Sequence, residues 1–232
     1  DNYVMHAGEL LGNEHERVRT LTLEEAKENT FLAPNCIILQ RTQARHRPFG
    51  IPESDFELLD GRTRMITKMP VRLLTLALLD LRERHTFWDV GFCTGSVSIE
   101  AKLQFPHLRV VAFEQRPEGE RLMNVNAARF GTPGIEAHTG DFTAADLSGI
   151  AAPDAVFIGG HGGKMDEIIR RLDEVLLPGG IIVFNSVSAE SRSLFIECAA
   201  RHGFRVTREH RLTVDAHNPI DIIQVQKTTA HE

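Results

Sequence analysis

From Met69 onward the chain alternates between two hydrophobic rhythms. Short continuous apolar runs stand at Thr86–Val90, Arg109–Phe113, Gly134–His138, Ala155–Ile158 and Ile181–Asn185. Between them lie stretches with helical spacing: Ser96–Gln104, Glu118–Phe130, Lys164–Leu176 and Ala189–His202. Another precedes them, Met69–Arg82, in which Val71, Leu74, Leu78 and Leu81 share one face. Strands that are apolar throughout, without alternation, suit a sheet covered by helices on both sides. The β-α-β-α order predicts an α/β, Rossmann-like, doubly wound and mostly parallel sheet. The end breaks the rhythm. Arg205–Leu212 and Ile220–Gln226 read as strands with only the turn Asp215–Pro219 between them, so they run antiparallel. The expectation is a seven-stranded sheet closed by an antiparallel C-terminal edge hairpin.

The first residues follow another pattern. Thr22–Glu28 reads as a helix, with Thr22 and Glu25 at capping-box spacing, and Cys36–Leu39 reads as one short strand. One helix and one strand cannot bury a core by themselves, so residues 1–40 must pack on something else. Residues 41–52, polar with two prolines and a glycine, read as a linker, and 53–232 as the main domain. The chain does not start with Met and reads as a piece of a longer one.

Composition narrows the classes. The 232 residues carry a formal charge of −6, with 42% hydrophobic and 25% charged residues, ordinary values for a globular protein. The acidic balance speaks against nucleic acid or an anionic membrane held by bulk charge. Residues 41–72 are the exception at net +3, with Arg45, His46, Arg47, Arg64 and Lys68 among their cations. Three widely spaced cysteines, Cys36, Cys93 and Cys198, give neither a disulfide framework nor a zinc knuckle, and read as reduced thiols in the cytoplasm. No His/Cys/Asp cluster has metal-ligand spacing. No run approaches the ~20 apolar residues of a membrane span, and the N-terminus is no signal peptide.

In doubly wound sheets ligands bind beyond the carboxyl ends of the strands. After the first parallel strand stands Asp89-Val-Gly91-Phe92-Cys93-Thr94-Gly95-Ser96: two glycines for a sharp turn, a carboxylate able to take an ammonium, and the free N–H groups of a helix start. A tight turn without a ligand would read the same way. Phe92 and Cys93 break the dinucleotide pattern G-x-G-x-x-G. After the second strand, Glu114 lies 23 residues beyond Gly91, where a carboxylate suits a ribose diol or caps a helix. After the third, Asp141 and Phe142 can meet an amine and a purine face, or form an Asx-turn and a core contact. After the fourth, Gly159-Gly160-His161-Gly162-Gly163 implies close backbone approach to a ligand, a mobile lid or a flexible loop. Three acceptors at three successive strand ends match the ammonium, ribose and adenine of S-adenosylmethionine.

These residues carry a resemblance. From about Gly50 the chain resembles class I S-adenosylmethionine-dependent methyltransferases. The set Gly50-Ile51-Pro52, Met65-Ile66-Thr67-Lys68-x-x-Val71-Arg72, Trp88 to Glu100, Asp154 to Gly163 and Asn218-Pro219 resembles more narrowly the precorrin methyltransferase/decarboxylases of cobalamin biosynthesis. Leu10 to Val18 and Thr20 to Glu25 resemble the tail of a tetrapyrrole methylase domain, which makes 1–40 its remnant. The resemblance implies that Gly91 to Gly95 and Glu114 hold the cofactor, that Asp141 and Phe142 flank its adenine, and that Thr67 covers it. Gly159 and Gly160 would line the mouth toward the substrate. It implies methyl transfer to carbon 15 of an anionic tetrapyrrole and loss of carbon dioxide from the acetate on carbon 12. It further implies a homo-oligomer, a tetramer where the arm before Asn218 is long. Two departures stand out: Cys93 where the family has glycine, and a short arm, Thr207 to His217.

A sulfonium is an activated donor, so alignment and exclusion of water suffice for transfer and no strong base is needed. His161 is the candidate proton source after decarboxylation. Arg64, Lys68, His161 and Lys164 are candidates for the substrate's carboxylates. Two other readings share the fold: an RNA N-methyltransferase, which the acidic body disfavours, and a catalytically silent cofactor-binding module of a larger enzyme.

Overall fold

The computed structural model describes residues 2–43, 49–62, 64–215 and 219–227. The chain divides into two compact units, Asp1–Arg47 and Pro48–Glu232.

The first unit is a three-stranded antiparallel sheet with a short helix. It contains β1 (Tyr3–Glu9), β2 (Arg17–Thr22), α1 (Leu23–Lys27) and β3 (Asn35–Arg41), in sheet order β2-β1-β3. The helix opens on the expected capping box: Glu25 N–H donates to Thr22 Oγ1 at 3.1 Å and Thr22 N–H to Glu25 Oε2 at 2.8 Å. The expectation of a single strand here is corrected to three. His6 and Gly8 in β1, and Arg17 and Arg19 in β2, interrupt the apolar alternation by which a strand is recognised. His6 has its own reason to be there. From the central strand its Nδ1 lies 3.0 Å from Thr20 Oγ1 of β2 and its Nε2 2.9 Å from Gln40 Oε1 of β3, so one side chain links all three strands.

The second unit runs α2 (Met69–Leu78), β4 (Thr86–Val90), α3 (Ser96–Gln104), β5 (Arg109–Glu114), α4 (Glu118–Phe130), β6 (Ile135–Thr139), β7 (Ala155–Ile158), α5 (Met165–Val175), β8 (Ile181–Ser186), α6 (Ala189–Arg201), β9 (Phe204–Leu212) and β10 (Ile220–Lys227). Its sheet has the order β6-β5-β4-β7-β8-β10-β9. The first five of these strands are parallel, and β10 pairs antiparallel with both β8 and β9. This is the expected doubly wound, mostly parallel seven-stranded sheet with an antiparallel C-terminal edge.

Both faces of the sheet are covered, as the unbroken apolar runs require. In β4, Phe87 packs with Val71, Leu79 and Val97 on one side, while its neighbours Trp88 and Val90 pack with Phe142, Ile168 and Phe195 on the other. Helix α5 shows the complementary logic: Met165, Ile168, Ile169 and Leu172 are buried, while Asp166, Glu167, Arg170 and Glu174 are exposed. Helix α2 is shorter than its sequence periodicity. It stops at Leu78, and Asp80 takes a left-handed turn at φ 49° before a 3-10 turn at Leu81–Glu83, a conformation Asp tolerates better than most residues. Among the described residues no helix is long and apolar enough to cross a membrane.

Strand order fixes where a ligand can enter. The chain builds β4, β5 and β6 outward in one direction, then returns to place β7 on the other side of β4. The carboxyl ends of β4 and β7 therefore diverge into oppositely directed connections, and the gap between those connections is a crevice.

Candidate functional site

The crevice opens into a cavity of about 520 Å³, within the range of small-molecule sites. Its walls include Asp89, Gly91, Phe92, Cys93 and Thr94 after β4, Glu114 at the end of β5, and Asp141 and Phe142 after β6. Gly159, Gly160 and His161 after β7, Lys164 before α5, and Arg64, Thr67 and Lys68 before α2 complete this set. Of the residues singled out in the sequence, Gly95 is not in the wall. It is the N-cap of α3, at φ 76°, and an added Cβ would meet Met123 Sδ at 2.6 Å. Arg45, His46, Arg47 and Asn218 lie outside the described residues.

The glycine turn after β4 is built by backbone contact. Gly91 has φ 83°, and a Cβ there would stand 2.9 Å from the amide nitrogen of Gly160; a Cβ on Gly159 would stand 2.7 Å from Gly91 O. The glycines of the two loops thus serve each other first, and the close approach inferred from sequence is between two stretches of this chain. Phe92 lines the cavity and is buried in a cluster with Ile51, Phe56 and Ile99. Cys93 holds φ 51° with a side chain, and its Sγ donates to Met65 O at 3.1 Å. Burial, reinforced by the nearby Glu114 charge, pushes its thiol up to about 11.

Asp89 is fully buried at the end of β4. Its Oδ2 accepts from Ser98 Oγ at 2.6 Å and Ser98 N–H at 3.2 Å. Its Oδ1 has no partner within the protein, nor has Thr94 Oγ1. Two buried polar atoms without partners in the wall of one cavity are what a polar ligand group would satisfy. Burial pushes the Asp89 carboxyl up to about 7 against the opposing Ser98 hydrogen bonds.

Glu114 is buried and already engaged. Oε2 accepts from Cys93 N–H at 2.8 Å, and Oε1 accepts from Arg116 N–H and Arg116 Nη1, both at 3.0 Å. Asp141 is half-buried and takes the capping role that its sequence allowed, with a lysine of this chain on its other oxygen. Its Oδ1 caps the following 3-10 turn through Thr143 N–H at 2.9 Å, and its Oδ2 meets Lys164 Nζ at 2.6 Å. That lysine, with the Thr143 contacts, holds the Asp141 carboxyl down at about 2. Phe142 is buried, edge-on to Trp88 and Phe113.

His161 lines the cavity from the loop after β7, its ring edge-on to Phe184 at 6.1 Å. The Gly163 N–H donates to its Nδ1 at 3.2 Å, which leaves the proton of the neutral ring on Nε2, 3.3 Å from Ser191 Oγ. Burial lowers its pKa from the ordinary histidine value.

The structure adds wall residues that the sequence reading did not select. Arg116 pairs with Glu114, two positions further along the same loop. Asn185 near the end of β8 donates through Nδ2 to Thr75 Oγ1 at 2.9 Å. It would have been found by extending the strand-end rule to the fifth strand. Val187, just after β8, and Val214 and Ile220, from the β9–β10 hairpin, also line the cavity. Among the described residues no group of three or more His, Cys, Asp or Glu is placed to hold a metal.

Comparison with known proteins agrees with this geometry. The family model for the precorrin methyltransferase domain matches residues 59–228. A Sinorhizobium protein named precorrin-6Y C(5,15)-methyltransferase (decarboxylating) is 38% identical over 143 residues, covering 62% of this chain and 34% of its own length. A Salmonella typhimurium protein named cobalt-precorrin-6B C(15)-methyltransferase (decarboxylating) is 40% identical over 133 residues, covering 57% of this chain and 68% of its own. The chain thus spans about a third of the first relative and about two thirds of the second. The crystal structure of a precorrin-6Y C5,15-methyltransferase from Geobacter metallireducens superposes with a TM-score of 0.71 at 32% identity, over 78% of this chain and 98% of that one.

Proposed function

Since the chain belongs to the precorrin methyltransferase domain family, we propose that it transfers a methyl group from S-adenosylmethionine to carbon 15 of a precorrin and removes the acetate carboxylate on carbon 12 as carbon dioxide. By the same reading, the sheet of β1 to β3 is the tail of a tetrapyrrole methylase domain, and methylation of carbon 5 is not assigned to this chain.

The observation that carries the reading is the unpartnered pair Asp89 Oδ1 and Thr94 Oγ1, buried in the wall of a cavity that also gathers Glu114 and Asp141. An amino-acid ammonium, a ribose diol and an exocyclic amine are the groups that three such carboxylates would take. When bound, the cofactor supplies an electrophilic methyl on a sulfonium. The chain's own task is then to hold the acceptor carbon in line and keep water away. Arg64, Lys68, Arg116 and Lys164 line the same cavity and suit the carboxylates of a tetrapyrrole.

For the second step, the carbon–carbon bond to the carboxylate breaks and its electron pair enters the conjugated ring. One proton added to carbon then completes a methyl group. His161 is the donor we assign: its ring, protonated from solvent, gives the proton to carbon and returns to the neutral imidazole. Incubation of the protein with S-adenosylmethionine and the precorrin, read by mass spectrometry, tests the whole reading. The expected product has gained one methyl and lost one carbon dioxide. Unaltered substrate beside a cofactor that binds would instead mark a silent module.

A further inference from the structure

Arg72 of α2 and Glu100 of α3 are fully buried, and Arg72 Nε donates to Glu100 Oε2 at 2.5 Å. Their other hydrogen bonds run to one part of the chain. Glu100 Oε1 accepts from Gly50 N–H at 2.6 Å and Ile51 N–H at 3.3 Å. Arg72 Nη1 donates to Thr67 O at 2.6 Å, and Nη2 donates to Ile51 O. The guanidinium also lies 5.2 Å from the centre of the Phe56 ring.

Buried ion pairs are weak devices for stability, because apolar residues of similar volume often hold a fold as well or better. What a forked, charge-assisted pair supplies is direction. Residues 49–62 and 64–68 contain no regular element beyond the 3-10 turn Glu53–Asp55, so apolar packing alone would leave their register loose. The pair fixes two points on them, Ile51 and Thr67, against α3, the helix that begins at the glycine turn. The second point belongs to the cavity wall, which Thr67 and Lys68 line. Other buried contacts act in the same sense. Asn126 of α4 accepts from Glu57 N–H at 2.7 Å and donates to Thr94 O at 2.9 Å.

We infer that the Arg72–Glu100 pair is a positioning device for the cavity's N-terminal wall, setting Thr67 in register with the glycine turn, so that cofactor affinity depends on it more than folding does. The inference rests on the reading of the cavity as a site for S-adenosylmethionine, and two readouts keep the two apart.

The apolar double variant Arg72→Met/Glu100→Leu of the full chain is compared with wild type. S-adenosylhomocysteine is titrated by calorimetry, and amide hydrogen exchange at Gly50 and Ile51 is followed without ligand. The double variant is expected to bind roughly tenfold to a hundredfold more weakly, the scale of a displaced wall. Exchange at Gly50 and Ile51 should quicken by about tenfold or more while the β4 and β5 amides stay protected. Native affinity in the variant, or unchanged exchange at Gly50 and Ile51, overturns the inference. Should the double variant not fold, Arg72→Lys decides: it keeps the charge and loses the fork to Thr67 and Ile51. Weaker binding at unchanged Tm then supports positioning, and native binding refutes it. A wild-type protein that does not bind S-adenosylhomocysteine sinks the reading of the cavity, and hydrogen exchange alone then judges the pair.

Discussion

The backbone amide of Cys93 donates to Glu114 Oε2 at 2.8 Å, so the turn after β4 and the end of β5 are tied together by the carboxylate assigned to the ribose. Removing that carboxylate takes away the acceptor that holds the turn and, on the proposed reading, the ribose contact. Glu114→Ala is expected to weaken S-adenosylhomocysteine binding by roughly 1–3 kcal/mol, the scale of a charged hydrogen-bonding group lost from a buried site. Calorimetric titration checks it, and an unchanged affinity would remove Glu114 from the cofactor site. Arg116→Ala, which leaves the carboxylate in place, should weaken binding less.

Cys93 sits at φ 51°, a region a side chain enters at a cost of about 1–2 kcal/mol. Glycine would relieve that strain, but it would lose the Sγ contact to Met65 O and gain freedom when unfolded. Cys93→Gly should therefore fold and bind cofactor with a stability change within about 1 kcal/mol, by denaturant unfolding. The thiol pushed up to about 11 is a poor nucleophile at neutral pH. Alkylation of the native protein followed by peptide mapping should modify exposed Cys36 first and leave Cys93 and buried Cys198 behind.

Asp89 gives the pH dependence. Burial raises its folded carboxyl to about 7, against an ordinary 3.8 when unfolded. Between those values the folded state keeps a proton that the unfolded state has released. The folded state is therefore disfavoured progressively as pH rises from about 4 to 7, and the penalty is complete above 7. Asp89→Asn, which can still accept from Ser98, removes that penalty. It should raise the Tm of the ligand-free protein by several degrees at pH 8 and by little at pH 4. It should also abolish tight cofactor binding. A paired ammonium would drive the proton off wild-type Asp89, so the calorimetric enthalpy of cofactor binding near pH 7 should differ between buffers of different ionisation heat. Equal enthalpies would mean that Asp89 does not meet the charge.

His161 is oriented by Gly163 N–H and Ser191 Oγ. His161→Ala should slow carbon dioxide release more than methylation, by roughly a hundredfold if it supplies the proton. Ser191→Ala should reproduce a smaller part of the same bias. Separate quantification of S-adenosylhomocysteine and carbon dioxide checks both. Equal loss of the two steps would reduce His161 to a wall residue.

The parallel sheet was legible because its strands are apolar on both sides and each is followed by a helix with a clear stripe. The boundaries of β4, β7, α3 and α4 fall where the sequence pattern puts them. The strand-end rule gathered Asp89, Glu114 and Asp141 because they stand at successive ends of one sheet, a relation that needs topology and no side-chain detail. What stayed hidden depends on contacts between distant stretches. The strands of the first unit are recognisable only once His6 is seen bridging Thr20 and Gln40. The engagement of Glu114 by Cys93 and Arg116, and of Asp141 by Lys164, follows from loop conformations that spacing does not encode. Arg72 and Glu100 stand 28 positions apart, and as isolated letters they look like surface charges.

Gly91 and Gly160 touch main chain to main chain, with no room for a methyl group between them. The loop that carries His161 is thus in main-chain contact with the glycine turn after β4. An engineer who reshapes that loop to admit a bulkier acceptor will shift donor affinity at the same time. Val187, Val214 and Asn185 line the same cavity from other segments of the chain, so changes there reshape it without entering that main-chain contact.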